Sequence, residues 1–295
     1  MELHQEIISG NAGSPYRYRV LVPFLCEVAI RTFPHFVSYE RAFILTYFMY
    51  DLAAILLAFC TLRMLLRTWF SEIQALLGLL FVACTMPIAL RDHYYQPWTL
   101  LEIGFFTIGL LLIMENRRYS LLFLILIASL NRETTVFIVL AFLLANLPLE
   151  RPLRGDMVHA IKRVLPYLAL YMVAWLGVFC GLRIMLGPAT HVIDIPKLFR
   201  VNIQIGHLAL TAWQAFWFLG AFWAFAFLGY AKAPLVIQRL VWVVPFYLTT
   251  FMVFGYWWEV RLLMPMYAIF LPLALSFLFP PQDSLRGIGV AHAGK

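Results

Sequence analysis

Residues 119–147 read YSLLFLILIASL-NRE-TTVFIVLAFLLANL, two apolar runs joined by a polar triplet. Each run is short for a membrane crossing, because a hydrocarbon core of about 30 Å takes roughly 20 helical residues. A break in the helix at membrane depth is tolerated only where protein or water covers the backbone. The stretch therefore predicts a helical hairpin in a membrane, with Asn131-Arg132-Glu133 at its tip as part of a candidate site.

Seven longer apolar runs surround this hairpin. The chain is 63% hydrophobic and only 13% charged, whereas soluble domains are about 45–50% apolar and about 25% charged. We therefore predict an all-α fold: a polytopic transmembrane helix bundle of about nine membrane segments, two of them short, forming a single integral membrane domain over residues 41–295. The longer segments are predicted at 41–66, 72–90, 97–114, 163–185, 206–230, 236–256 and 262–279.

Residues 1–40 are predicted to form a separate segment at the outer face of the membrane. Within 18–33, Leu21, Leu25 and Val28 recur at helical spacing, and Glu27 and Arg31 can pair one turn apart. This pattern is typical of an amphipathic helix lying in the membrane interface. Two alternatives stay open: 18–33 spans the membrane, or a first membrane helix is missing from the sequence.

The cations predict the orientation of the bundle. About twice as many of the Lys and Arg residues between the apolar runs fall on one side as on the other, and the richer side is expected in the cytoplasm. The loops around 91–93, 131–133, 187–205 and 257–261 then face outward. The net charge of +7 follows this membrane pattern rather than a basic stripe, so the predicted partner is the lipid bilayer and not nucleic acid.

Charged residues from four separate parts of the chain gather at the predicted outer boundary. Charges at membrane depth are costly and usually mark sites or pathways, although ion pairs that join helix ends are the alternative explanation. The residues are Arg17, Arg19, Arg91, Asp92, His93, Arg132, Glu133, Glu259 and Arg261.

These residue types suit the chemistry of phosphate and hydroxyl groups. A guanidinium fork matches phosphate oxygens, and a carboxylate can act as a general base towards a hydroxyl. No Cys/His cluster with metal-ligand spacing occurs, so no cofactor is evident, although a divalent metal is compatible with the chemistry. The candidates are Arg17, Arg19, Arg91, Arg132 and Arg261 for phosphate binding, and Asp92, Glu133 and Glu259 for catalysis, with Asp92 foremost. Contacts to sugar or acceptor are expected from His93, Tyr94 and Trp258, although aromatic residues such as Trp98 and Trp258 also form ordinary interfacial belts.

Two acidic residues, Asp51 and Glu102, lie inside predicted membrane segments. Each must face the bundle interior and be hydrogen-bonded or protonated there. A polar contact between helices and a proton relay are both consistent with this position.

Three short motifs occur in the order SPYRYRVLVP (14–23), NRET (131–134) and EVR (259–261). In this order they resemble bacterial membrane glycosyltransferases of the GT-C superfamily. The resemblance implies interfacial helices in a first outer loop, and transfer of a sugar from a polyprenyl-phosphate carrier on the outer side of the bacterial cytoplasmic membrane. GT-C enzymes usually carry a catalytic acid just after a first membrane helix. No such helix precedes the first motif here, where the only carboxylates are Glu2 and Glu6.

Three functions are therefore in competition. The first is a glycosyltransferase using a polyprenyl-phosphate-linked sugar. The second is a transporter or flippase for lipid-linked or anionic substrates, with Asp51 and Glu102 coupling protons, although the chain lacks the paired interrupted segments typical of transporters. The third is a non-catalytic subunit of a membrane complex, whose protein partners the sequence does not name.

Overall fold

A computed structural model of the chain describes residues 1–32, 38–89, 96–149, 154–189 and 194–282. Helices joined by turns make up this described part, and it contains no strand. The all-α prediction is confirmed. The helices are α1 (Glu2–Ile8), α2 (Leu21–Thr32), α3 (Tyr39–Leu66), α4 (Glu72–Ala89), α5 (Trp98–Met114), α6 (Arg118–Asn131), α7 (Val136–Asn146), α8 (Arg154–Leu186), α9 (Ile195–Asn202), α10 (Ile205–Leu219), α11 (Phe222–Gly229), α12 (Leu235–Leu240), α13 (Val243–Phe254) and α14 (Tyr267–Leu278), with 3-10 turns at Tyr16–Tyr18, Glu133–Thr135, Tyr230–Lys232 and Val260–Met266.

Several helices are long and apolar enough to cross a membrane. Within the described residues there are 5, or up to 6 when a bent pair is taken as one span. Each of the nine predicted segments contains helix, but α5, α6 and α7 are shorter than an independent span. Several helices thus have the length and composition that the predicted membrane protein requires, whereas the number nine stays a prediction. The five are Tyr39–Leu66, Glu72–Ala89, Met157–Leu186, Leu235–Phe254 and Val260–Leu278.

The predicted segment 206–230 is not one straight helix. It is divided into α10 and the stretch Phe222–Lys232, which meet at 64°. Gly220, between them, has φ +52, a backbone conformation that glycine adopts without the steric penalty of a Cβ. The apolar pattern continues across this break, which is why the sequence predicted a single element.

The bundle is built around α14. In the segment Val260–Leu278, 83% of the most apolar window is buried, against 6% in Met157–Leu186. Gly229 of α11 allows a close backbone approach to α14, because a Cβ there would lie 2.0 Å from the carbonyl oxygen of Leu273. The central helix therefore has protein neighbours on most sides, while most of α8 lies exposed on the outside of the bundle.

The tip of the α6–α7 hairpin does not extend as far as the ends of the neighbouring helices α3 and α8. The indole of Trp175 in α8 donates to the carbonyl of Glu133 at 3.0 Å, and α8 then continues to Leu186, about 17 Å further at 1.5 Å per residue. The hydroxyl of Tyr50 in α3 likewise donates to Pro97 at 2.7 Å, with roughly 17 Å of helix beyond it. We call the side towards which the hairpin points the tip face.

Residues 1–32 pack over the tip of the α6–α7 hairpin, and we call them the N-terminal cover. His4 hydrogen-bonds the Tyr47 hydroxyl of α3 at 2.9 Å, and the hydroxyl of Tyr18 donates to Gly187, just beyond α8, at 3.1 Å. The predicted helix in 18–33 is present as Leu21–Thr32, and the predicted pair of Glu27 with Arg31 is confirmed at 2.6 Å. Its place in the membrane interface stays a prediction.

Candidate functional site

Arg19 and Glu133 form a two-point ion pair between the cover and the hairpin tip. The Nη2 of Arg19 lies 2.6 Å from Oε1 of Glu133, and its Nε lies 3.3 Å from Oε2. The 3-10 turn Glu133–Thr135 interrupts the hairpin and presents this carboxylate. Arg19 is buried, while the side chain of Glu133 is 33% exposed. Glu133 is thus a partly accessible carboxylate beside a buried cation.

The electrostatic surroundings keep Glu133 ionised. Burial alone would raise the pKa of its carboxyl, but the charge and hydrogen bond of Arg19, together with the charge of Arg132, lower that pKa to about 2. The group is therefore a carboxylate at neutral pH, and a weak base for as long as Arg19 holds it.

Arg132 pairs with Glu102 rather than with its neighbour Glu133. Its Nη1 contacts one oxygen of Glu102, and the hydroxyl of Thr134 donates to the other. Arg132 and Glu102 are both buried, so this pair joins α5 to the hairpin tip away from solvent. The prediction that Glu102 faces the interior and is hydrogen-bonded is confirmed. Of the two roles considered, this geometry favours the inter-helical contact.

Trp98 connects the cover to the hairpin, a role that the sequence did not predict. Its indole N–H donates to the carbonyl of Arg19 at 3.0 Å, and its own carbonyl accepts from the Asn131 side chain at 3.1 Å. Its ring stacks on Tyr16 at a centroid distance of 5.6 Å. Trp98 is 1% exposed, so it belongs to the protein interior and not to an interfacial belt. Its position just after Pro97, at the start of an apolar run, gave no signal of this role.

Arg261 and Glu259 form a third pair, at 2.8 Å, in which Arg261 is buried. The next residue, Leu262, accepts a hydrogen bond from the Tyr247 hydroxyl at 2.6 Å. Tyr247 in turn lies within electrostatic range of Glu102, Arg132, Arg19 and Glu133. The third pair is therefore connected through Tyr247 to the region of the other two.

Two other candidates lie elsewhere. The guanidinium of Arg17 donates to the carbonyl of Leu186 at the end of α8, so it fastens the cover to that helix. Trp258 stacks with His207 at 4.3 Å and with Tyr256 at 4.8 Å. The predicted residues Arg91, Asp92, His93 and Tyr94 lie outside the described residues. Glu2 and Glu6 are exposed on α1.

Some buried polar atoms near the hairpin tip have no hydrogen-bond partner. They include Nε of Arg132, Nε of Arg261 and Oδ1 of Asn131. Buried polar atoms usually have a hydrogen-bond partner in folded proteins. The Nε–H groups of Arg132 and Arg261 can therefore each donate a hydrogen bond to an additional acceptor. A small pocket with room for about one water molecule lies at the hairpin tip, lined by Glu102, Asn131, Thr134 and Thr135 with apolar residues, and neither Arg132 nor Arg261 lines it.

The described residues contain no group of three or more His, Cys, Asp and Glu side chains placed to hold a metal ion. Comparison of the chain with protein-family models, with curated proteins and with solved structures gave no match. The geometry of the three ion pairs is therefore the basis on which a function can be inferred.

Proposed function

We propose that the chain is a membrane glycosyltransferase of the bacterial cytoplasmic membrane, which transfers a sugar from a polyprenyl-phosphate-linked donor to an acceptor at the outer face. One combination of groups supports this best. Arg132 and Arg261 each keep a buried Nε–H without an acceptor, and Glu133 in the same region is a partly exposed, ionised carboxylate. Transfer of a sugar from a phosphate to a hydroxyl requires hydrogen-bond donors that bind the phosphate and a carboxylate that accepts the proton.

In this proposal, the phosphate of the donor accepts hydrogen bonds from the free Nε–H groups of Arg132 and Arg261. The acceptor hydroxyl attacks the anomeric carbon of the sugar, and the bond between that carbon and the phosphate oxygen breaks. The electron pair leaves with the polyprenyl phosphate, where the guanidinium charges stabilise it. The proton of the hydroxyl passes to Glu133.

A pKa of about 2 makes Glu133 a poor base in the paired state. Arg19 holds both of its oxygens, so a phosphate that competes for the Arg19 fork would release the carboxylate and raise its pKa. Binding of the donor would then activate the base. Asp92, the sequence-based candidate, stays an alternative base.

The test is donor binding and turnover by the full chain in proteoliposomes containing a radiolabelled polyprenyl-phosphate sugar. Replacing Arg132 or Arg261 by Lys keeps the charge but removes the planar fork, so both variants should bind polyprenyl phosphate more weakly. Glu133→Gln should bind it but transfer sugar ~10²–10⁴-fold more slowly. The matched control is Arg117→Lys, because Arg117 is exposed and pairs with Glu115 at 2.7 Å. Unchanged binding by both lysine variants would remove the phosphate contact from the proposal.

One observation favours a second candidate, a non-catalytic subunit that stabilises a membrane complex. Each of Arg19, Arg132 and Arg261 pairs with one carboxylate, so the three pairs are also explained as contacts between helices. This candidate predicts that the same variants lose folded protein while no donor is bound by the wild type. A transporter gains no comparable support, since both oxygens of Glu102 are already engaged.

A further inference from the structure

The short helix α9 has three chemically distinct sides. Leu198 and Asn202 are buried against the bundle. A second side carries Ile195 and Phe199 and is continued by Ile203 just after the helix; these residues are 40%, 53% and 46% exposed. The third carries the exposed cations, Lys197 and Arg200.

Asn202 fixes α9 at the tip face of the bundle. Its side-chain amide donates to the carbonyl of Gly255 at 3.0 Å, and its oxygen accepts from the backbone N–H of Trp257 at 3.2 Å. Gly255 directly follows α13, and α9 itself lies in the chain between the membrane helices α8 and α10. The ends of membrane helices therefore hold α9 at the boundary of the bundle.

The surroundings of α9 are those of a membrane interface. Phe199 packs edge-to-face on Trp257 at 5.9 Å, next to Tyr256 and Trp258, and such aromatic residues concentrate at headgroup level. Successive residues of an α-helix are separated by 100° around its axis. Lys197 and Arg200 therefore point roughly 100° or more away from the centre of the apolar side around Phe199. Neither cation forms an ion pair with any described residue. Apolar groups on one side and unpaired cations on another match acyl chains below and anionic headgroups above.

We propose that α9 lies in the headgroup layer at the tip face and binds anionic phospholipid there. In this arrangement Lys197 and Arg200 contact the lipid phosphates, and Ile195, Phe199 and Ile203 enter the acyl region. This inference does not depend on glycosyl transfer, because α9 contributes none of the three ion pairs of the candidate site.

The position of α9 is tested with spin labels on the full chain in phosphatidylcholine vesicles containing phosphatidylglycerol. Cys60, Cys84 and Cys180 are exposed and are replaced by Ala, whereas Cys26 is buried and retained. A label introduced by Phe199→Cys should collide with oxygen and be protected from a water-soluble nickel chelate, and a label introduced by Arg200→Cys should show the reverse. If the label at 199 were shielded from both reagents, a protein partner or a second copy would cover the apolar side, and the lipid proposal would be wrong.

The charge preference is tested by counting the phosphatidylglycerol molecules retained by the purified chain in native mass spectrometry. Replacing Lys197 and Arg200 by Gln should weaken retention roughly 5-fold for each charge removed, without changing the unfolding temperature. Arg117→Gln is the control, since that exposed cation is already paired. Equal retention by the wild type and the doubly substituted variant would overturn the proposal. Loss of the lipid on adding inorganic phosphate alone would also overturn it, because the site would then recognise free phosphate rather than a membrane lipid.

Discussion

The indole N–H of Trp98 donates to the backbone carbonyl of Arg19, so a residue at the start of α5 fixes the backbone of the residue that holds Glu133. The side chain of Arg19 returns over the same ring, with its guanidinium carbon 5.6 Å from the centroid. The cation of the candidate site, and through it the carboxylate of Glu133, is therefore positioned by a helix that carries neither of them.

Trp98→Phe should destabilise the protein. The change keeps an aromatic ring but leaves the buried carbonyl of Arg19 without its donor, a loss of about 1–3 kcal/mol. Thermal unfolding in detergent measures the effect. Trp213→Phe is the control, because Trp213 is 63% exposed and should change stability by less than about 0.5 kcal/mol. Equal unfolding temperatures for both variants would contradict the role given to Trp98.

The buried pair of Arg132 and Glu102 should show strong coupling in a double-mutant cycle. Arg132→Met or Glu102→Leu alone leaves an uncompensated buried charge, which costs about 3–5 kcal/mol, whereas the double variant removes both charges and should lose much less than the sum. The exposed pair of Arg117 and Glu115 supplies the control cycle, with a coupling of less than about 1 kcal/mol. Additive losses at Arg132 and Glu102 would show that the two side chains do not interact.

Stability should depend on pH through Glu133. Its pKa falls from 4.5 to about 2 on folding, so the stabilisation is fully present above the unfolded value and disappears as the pH falls towards the folded value. The unfolding temperatures of the wild type and Glu133→Gln should therefore differ at pH 7 and converge as the pH drops below 4.5. A difference that stayed constant down to about pH 3 would mean that Glu133 is not the titrating group.

The sequence predicted the helices well, because long apolar runs and short polar breaks have few other solutions in a membrane. It also indicated the hairpin tip, since Asn131-Arg132-Glu133 interrupts two runs that are individually short. The sequence did not predict which charged side chains pair with each other at the hairpin tip. Arg132 and Glu133 are adjacent in the sequence, but the extended backbone at Arg132 turns these two side chains to different neighbours, Glu102 and Arg19.

The contacts that Arg17 and Trp98 make could also not be predicted from the sequence pattern. Arg17 and Arg19 are two residues apart in one motif, and both were predicted to bind phosphate. The 3-10 turn at Tyr16–Tyr18 sends Arg17 to the end of α8 and Arg19 to the hairpin. Which of two nearby arginines meets which helix depends on packing between distant segments, and this has no local sequence signature.

The orientation of the bundle can be checked by labelling single cysteines introduced at Lys197 and Arg117, in a background lacking the three exposed native cysteines. Both side chains are exposed. The positive-inside rule places Lys197 outside and Arg117 in the cytoplasm. A membrane-impermeant thiol reagent added to intact cells should therefore label only position 197. Labelling at 117 alone would invert the topology and place the candidate site on the cytoplasmic side.

The contacts of the N-terminal cover fix an order of events during biosynthesis. Tyr18 finds its partner Gly187 only after another 169 residues of chain, which at 5–20 residues per second takes roughly 10–30 s of translation. Arg19 lacks its partner Glu133 until another 114 residues have been made, and Arg17 lacks Leu186 until another 169 have been made. A chain whose synthesis stops before α8 therefore lacks the contacts of Arg17 and Tyr18 with the end of that helix, although the contact of His4 with Tyr47 can already form.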